Sequence, residues 1–314
     1  MTAKSAFLFP GQGSQSVGML QALSDAYPIV RRTFEEASDA LGMDLWGLVA
    51  EGPKDALDRT ENTQPVMLAA GFAVWQVWIE NNGPLPVAMA GHSLGEYTSL
   101  TAAGAWAFAD AIRVVAERGR LMQATVPAGQ GAMAAVMGLD DDQIRSVCDE
   151  QACGQVLEAV NYNAPGQVVI SGDAAAVERG IIAAKAAGAK RALALPVSGP
   201  FHCALMRPAA EALAERLESV EIAMPSIPVW HNASVAMAAD VPEIRSLLVQ
   251  QLYSPVRWVE TVRTMAGLGV THGVECGPGK VLAGLSKRID KNITTMPVFD
   301  PAGLDKALGV IADA

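Results

Sequence analysis

The chain has 314 residues, 51% hydrophobic and 18% charged, enough to bury a sizeable core in one large domain or a large domain carrying an insert; this excludes a disordered chain. Its 23 basic and 33 acidic residues leave a net charge of −10 with no long Lys/Arg run, which argues against nucleic acid as a partner. No stretch reaches the ~18 apolar residues of a membrane span and no signal-peptide pattern opens the chain, so a soluble, cytoplasmic protein is expected.

Ser5–Phe9 reads as a buried strand running into Pro10-Gly11-Gln12-Gly13. A dinucleotide fingerprint would need glycine at position 16, which is Ser16, so a phosphate cradle is a poor reading. A loop turning backbone amides toward a site remains, with Gln12 as a candidate oxyanion donor. After a helical stretch, Gln64–Glu80, the strand-like Pro86–Ala90 enters Gly91-His92-Ser93-Leu94-Gly95, and helical Glu96–Gly104 follows. This is GxSxG in a strand–turn–helix setting, which lifts the Ser93 hydroxyl clear of a sheet as a nucleophile. The Leu94 N–H then faces the position of an oxyanion, aided by the helix N-terminus. The competing reading is a glycine turn whose serine merely caps the helix.

In the helix Ala107–Thr125, Arg113, Glu117 and Arg120 fall at i, i+4 and i+7 and form a solvated stripe with a favourable ion pair. Arg118 lies off that stripe, three or four positions from Val114, Val115, Leu121 and Met122. A guanidinium there serves either a structural salt bridge or a fork gripping a substrate carboxylate, and the pattern leaves the two even.

Ala132–Met137, Val156–Val160, Gln167–Ser171 and Arg191–Val197 read as strands. Asp141–Gln151 and Ala174–Ala187 read as helices, and Asn161–Gly166 as a turn. The order β-α-β-β-α-β is that of a ferredoxin-like unit, placed at 128–197 within an α/β domain formed by 1–127 and 198–314.

A serine nucleophile needs a base. Of the four histidines, His92 adjoins Ser93 and should diverge from it, and His272 sits in the late strand Gly269–Glu275. His231, in a Trp-His-Asn-Ala loop, and His202, in the turn Ser198–Cys203, remain; the glycine/proline turn favours His202. The four cysteines match no metal-ligand spacing and are expected as reduced, mostly buried thiols; no metal site is expected.

The motifs FPGQGSQ (Phe9–Gln15), NTQPVMLA (Asn62–Ala69), GHSLGEY (Gly91–Tyr97), ERGRLMQ (Glu117–Gln123), NYNAPGQVVISG (Asn161–Gly172), PVSGPFHCALM (Pro196–Met206), QLYSPVRW (Gln251–Trp258) and ECGPGKVLAGLSKRI (Glu275–Ile289) occur in this order. Over nearly its whole length the chain thus resembles the malonyl-CoA:acyl carrier protein transacylases of type II fatty acid synthesis. The resemblance implies an α/β-hydrolase-like large domain with an inserted ferredoxin-like subdomain, and a monomer. It implies Ser93 as acylated nucleophile, His202 as base, the Gln12 and Leu94 amides as oxyanion hole and Arg118 as the malonyl carboxylate ligand. Gln251 would orient His202 through its backbone carbonyl, with His92 a supporting residue.

Phe201, immediately before the histidine, varies to Ser in the family; in modular synthases Phe there accompanies malonyl over methylmalonyl. The implied cycle is ping-pong between coenzyme A thioesters and acyl carrier protein, with no cofactor. Because that carrier is acidic, a basic docking patch is expected at Lys185, Lys190 and Arg191 or at Lys280, Lys287, Arg288 and Lys291. The rivals are a serine esterase or thioesterase, in which Arg118 has no special purpose, and a non-catalytic scaffold, against which Ser93, His202 and Arg118 together argue.

Overall fold

In the computed structural model, which describes residues 4–197 and 199–312, the apolar runs become nine strands. These are β1 (Lys4–Phe9), β2 (Ala88–Gly91), β3 (Gly131–Met137), β4 (Leu157–Ala164), β5 (Gln167–Asp173), β6 (Arg191–Ala194), β7 (Val229–Trp230), β8 (Val270–Cys276) and β9 (Thr294–Val298).

One sheet has the order β7-β2-β1-β8-β9 and is parallel throughout. Its strands read as continuous apolar runs because both faces are covered. Along β1, Phe7 and Phe9 join the core shared with the helices Thr60–Glu80 and Phe108–Thr125, whereas Ala6 and Leu8 join the core shared with Trp258, Val262 and Leu285. That alternation is the two-residue period of a strand dividing its side chains between two helical layers. The 21-residue helix Thr60–Glu80 is buried nearly all round, and its Trp75 and Trp78 meet the Phe7 ring edge-on at 5.4 and 5.0 Å.

The second sheet, β4-β5-β3-β6, is antiparallel. With the helices Asp141–Ala152 and Ala174–Ala186 it follows the expected β-α-β-β-α-β order. Asp140 and Gln143 cap the first helix reciprocally, and the apolar faces close over a separate small core.

Local expectations fail in two places. The segment Asn161–Ala164 is strand rather than turn, leaving only Pro165-Gly166 to reverse the chain, with Gly166 at φ 69°. Asn161, Tyr162 and Ala164 pair with Val169, Val168 and Gln167 of β5, and on the other edge Tyr162 N–H donates to Val256 O at 3.0 Å and Val256 N–H to Val160 O at 2.8 Å, so pairing on both edges overrides the local turn propensity. β6 ends at Ala194, short of Val197, and Ser198 of the Pro196–Met206 motif lies outside the described residues. The stripe on the helix Phe108–Thr125 holds its expected ion pair as Glu117 with Arg120, and Arg113 pairs with Asp110 one turn earlier.

Candidate active site

The site forms where β2 leaves the parallel sheet. Gly91 ends the strand, and Ser93 at φ 52°, ψ −109° precedes the helix Leu94–Ala102. A positive φ at a serine is a strained turn, held only where its surroundings over-determine it. Both flanking glycines are sterically required: a Cβ on Gly91 would lie 1.8 Å from Gly95 C, and one on Gly95 would lie 2.0 Å from Phe9 O. β1 and the nucleophile turn therefore pack backbone to backbone.

Ser93 Oγ lies 2.7 Å from His202 Nε2, so the structure brings together the serine and the favoured histidine, 109 residues apart. His202 is buried and itself has φ 65°. Its Nδ1 lies 2.9 Å from Gln251 O. A carbonyl only accepts, so Nδ1 carries the hydrogen and Nε2 is left free to accept the serine proton. Burial pushes the imidazole pKa down to about 3; the Arg118 charge adds to this, and the Gln251 carbonyl opposes it. The ring is neutral at ordinary pH.

Arg118 is 1% exposed. It donates to Gln64 Oε1 at 2.7 Å, to Gln251 Oε1 at 2.9 Å and to Ser93 Oγ at 3.3 Å, and it sits 4.9 Å above the Tyr97 ring centroid. Gln64 is oriented in turn by its amide's contact with Met122 Sδ at 3.6 Å. Among the described residues no carboxylate lies within 4.0 Å of the guanidinium, and its Nε has no hydrogen-bond partner. The salt-bridge alternative therefore has no partner here; a buried cation is held by neutral oxygens beside the serine hydroxyl.

Gln12, Leu94 and Phe201 line the same cavity of ≈ 120 Å³. Among the described residues neither the Gln12 nor the Leu94 backbone N–H donates to a protein acceptor, and the Gln12 side chain is tied back to Thr60 Oγ1 at 3.3 Å. Phe201 is 6% exposed. His92 diverges from Ser93, as expected: its Nε2 lies 2.8 Å from Asn163 Oδ1, a contact from the turn to β4 of the smaller sheet, and removal from water lowers its pKa. A second cavity, ≈ 200 Å³, adjoins the first, sharing Gln12, His92 and Asn161 and running along Val281, Leu282 and Leu285. His272 stays on β8, bonded to Thr271 Oγ1 at 3.0 Å.

Three residues at the site went unread in the sequence. Glu96, 0% exposed, accepts from His231 Nδ1, Asn232 N–H and Gln251 Nε2, each at 2.8 Å. Asn232 accepts from Ser93 N–H and donates to Gly91 O, each at 2.7 Å. Gln64 completes the set. The available signal was Glu96, the one charged residue in the nine-residue helix Leu94–Ala102.

Among the described residues no group of three or more His, Cys, Asp or Glu could hold a metal ion, and no helix is long and apolar enough to cross a membrane. Cys148, Cys203 and Cys276 are buried and Cys153 is exposed, all as free thiols. An activated serine, a neutral base, unengaged amide donors and a buried guanidinium can together move an acyl group that carries its own negative charge.

The family described as acyl transferase domain matches residues 6–303. The chain is 54% identical to the malonyl CoA-acyl carrier protein transacylase of Salmonella typhimurium, over 96% of this chain and 98% of that protein. It is 53% identical to the enzyme of the same description from Escherichia coli K12, with the same shares. Among solved structures it is similar to a malonyl-transacylase in complex with a type II polyketide synthase acyl-carrier protein (TM-score 0.97, 52% identity, 98% of this chain and 100% of that one). It is also similar to the malonyl CoA-acyl carrier protein transacylase of Coxiella burnetii (TM-score 0.98, 46% identity, 99% and 98%).

Proposed function

The chain belongs to the acyl transferase family, and from that membership we propose that it carries a malonyl group from coenzyme A to acyl carrier protein through a malonyl ester on Ser93. The observation that carries the choice of acyl group is Arg118, a buried guanidinium with no carboxylate partner among the described residues, 3.3 Å from the Ser93 hydroxyl.

Ser93 Oγ attacks the thioester carbonyl while its proton passes to His202 Nε2. The tetrahedral oxyanion is met by the Gln12 and Leu94 amides, and the C–S bond breaks. The departing sulfur takes the proton from His202 and leaves as coenzyme A. The phosphopantetheine thiol of the carrier protein then gives its proton to His202 and attacks the malonyl ester. Collapse of that intermediate transfers malonyl to sulfur and returns the proton to Ser93 Oγ. Arg118 holds the malonyl carboxylate by its planar fork throughout. Gln251 O keeps the imidazole in the working tautomer, and Phe201 walls the acyl pocket, which favours malonyl over branched acyl groups. Each step uses only the two thioesters and this chain's own residues.

We read residues 1–127 with 198–314 as an α/β-hydrolase-like domain, supported by the parallel sheet and the serine turn at the end of β2. Residues 128–197 form a ferredoxin-like subdomain in this reading, supported by the order β4-β5-β3-β6. The carrier's acidic surface docks on the cluster Lys280, Lys287, Arg288 and Lys291. Support comes from the helix Val281–Ile289, which carries exposed Lys287 and Arg288 in its last turn while its Val281, Leu282 and Leu285 line the second cavity. Lys287→Glu with Arg288→Glu is expected to raise KM for carrier protein and leave acylation by malonyl-CoA unchanged; an unchanged KM rejects this docking side.

Intact mass spectrometry after incubation with malonyl-CoA or acetyl-CoA tests the reaction. A malonyl adduct on Ser93, discharged rapidly by carrier protein and slowly by water, is the expected result. No adduct, or one formed equally from acetyl-CoA, overturns it.

A further inference from the structure

The buried polar network behind the serine is larger than a Ser–His pair requires, and its centre is a carboxylate with no place in the proposed cycle. Glu96 lies three residues after Ser93, fully buried, and spends its oxygens on three donors from two distant segments. A carboxylate removed from water is retained only when its hydrogen bonds are satisfied, so this cluster over-determines the positions of the groups bonded to it.

Two of those groups lead directly to the reacting atoms. Asn232, whose N–H is fixed by Glu96, uses its side-chain amide to bracket the nucleophile turn, accepting from Ser93 N–H and donating to Gly91 O, each at 2.7 Å. These are the strained serine's own amide and the carbonyl two residues before it, the backbone that enters the turn. Gln251 donates to Glu96 Oε2 at 2.8 Å and to Ser93 O at 2.9 Å through Nε2, and accepts from Arg118 at 2.9 Å through Oε1. Its amide therefore lies between a buried cation and a buried anion with its dipole aligned to both. Burial works against the charged form of Arg118; Tyr97 and, after it, Glu96 oppose that effect.

We propose that Glu96 is a positioning residue with two arms: through Asn232 it holds the Ser93 turn, and through Gln251 it sets how strongly Arg118 draws the acyl carboxylate. The proposal rests on the transacylase reading. With Glu96 in place, the buried guanidinium and a buried carboxylate face each other across the Gln251 amide. Neutralising Glu96 leaves Arg118 uncompensated, so an anionic acyl group is held more tightly even as the scaffold of the turn loosens.

The test is kcat and KM for acylation of wild type, Glu96→Gln and Asn232→Ala, each with malonyl-CoA and acetyl-CoA. Gln at 96 keeps the shape and removes the charge, with His231 able to shift tautomer and accept from the new amide. Glu96→Gln is expected to lower kcat for both donors, lower KM for malonyl-CoA, and raise the malonyl-to-acetyl ratio of kcat/KM about tenfold, the size of a charge interaction screened by a partly polar interior. Equal losses with an unchanged ratio overturn the charge arm, because a packing role would act on both donors alike.

Asn232→Ala leaves the backbone contact to Glu96 intact and is expected to cost about 10²-fold in kcat for both donors with the ratio unchanged; a loss below twofold overturns the turn-holding arm. If Glu96→Gln does not fold, Gln251→Leu cuts the same relay while keeping the carbonyl for His202, and is expected to raise the ratio likewise; an unchanged ratio overturns the relay. A wild-type protein that fails to take malonyl refutes the transacylase reading, whereas an active wild type with an unshifted variant ratio refutes this inference alone.

Discussion

Replacing Arg118 by alanine separates the proposed carboxylate grip from general reactivity. The guanidinium has five N–H donors. It is committed to Gln64 Oε1 and Gln251 Oε1 at 2.7 and 2.9 Å, while the contact to Ser93 Oγ is long at 3.3 Å and Nε has no hydrogen-bond partner among the described residues. The loosely held donor faces the serine hydroxyl, and it and the unpaired Nε are those a malonyl carboxylate is expected to engage. Two charge-assisted hydrogen bonds at about 1.5–3 kcal/mol each amount to about 3–6 kcal/mol, or roughly 10²–10⁴-fold in kcat/KM.

Arg118→Ala is therefore expected to lose that factor with malonyl-CoA and about tenfold or less with acetyl-CoA, which offers no carboxylate. Arg118→Lys keeps the charge without the fork and should fall between. The assay is single-turnover acylation of Ser93 with each donor. Thermal melting is run in parallel, because the freed Gln64 and Gln251 oxygens each cost about 1–3 kcal/mol of stability if left unsatisfied. Malonyl and acetyl rates falling by the same factor in a folded variant would falsify the grip.

His202, neutral by burial, should leave kcat/KM for acylation flat from pH 8 down to about pH 5, and an inflection near 6.5 would contradict its buried setting. The same depression has a sign in stability. The unfolded chain takes up a proton near 6.5 that the folded site refuses until about 3, so stability present above 6.5 declines as pH falls through that window. Wild type should lose roughly tenfold in folding constant per pH unit relative to His202→Asn, read from denaturant melts, and parallel curves would refute this.

Phe201→Ser should admit methylmalonyl-CoA at the expense of malonyl selectivity and lower stability by about 3–5 kcal/mol through loss of a buried ring; unchanged selectivity would remove Phe201 from the pocket wall. Gly95→Ala should destabilise, although a helical Gly→Ala change ordinarily helps by ~1 kcal/mol, because its Cβ would stand 2.0 Å from Phe9 O; a raised melting temperature would show that β1 yields.

The GxSxG turn was legible because its steric demands are local: glycines where β1 and the following helix crowd the backbone, and strand before helix. Arg118 was legible as a charge amid valines, although the sequence left salt bridge and substrate fork even, since only coordinates could show what surrounds the guanidinium. Asn232 and Glu96 were not legible. Asn232 follows a histidine in a loop, and its meaning comes from Ser93 N–H and Gly91 O, 139 and 141 residues away. The run Asn161–Ala164 misled for a related reason, since its turn-forming residues are held extended by pairing with β5 and, at Tyr162, with Val256. β7, at two residues, is too short to leave a periodic signal.

The third member of the proposed catalytic group is a backbone carbonyl, and the charge arithmetic of the pocket gives a reason. Gln251 O accepts from His202 Nδ1, and the side chain of the same residue meets Arg118 at 2.9 Å. A carboxylate at this position, as in a serine hydrolase triad, would pair with Arg118 directly and compete with the substrate for it. A carbonyl fixes the imidazole tautomer without adding charge. The nearest buried acid bonded to the group, Glu96, is held behind the Gln251 amide, where it supports the cation without occupying its face toward the serine. On this reading, a neutral base and an unpaired arginine are two consequences of one choice, and they turn a hydrolase-like turn toward acyl groups that bring their own carboxylate.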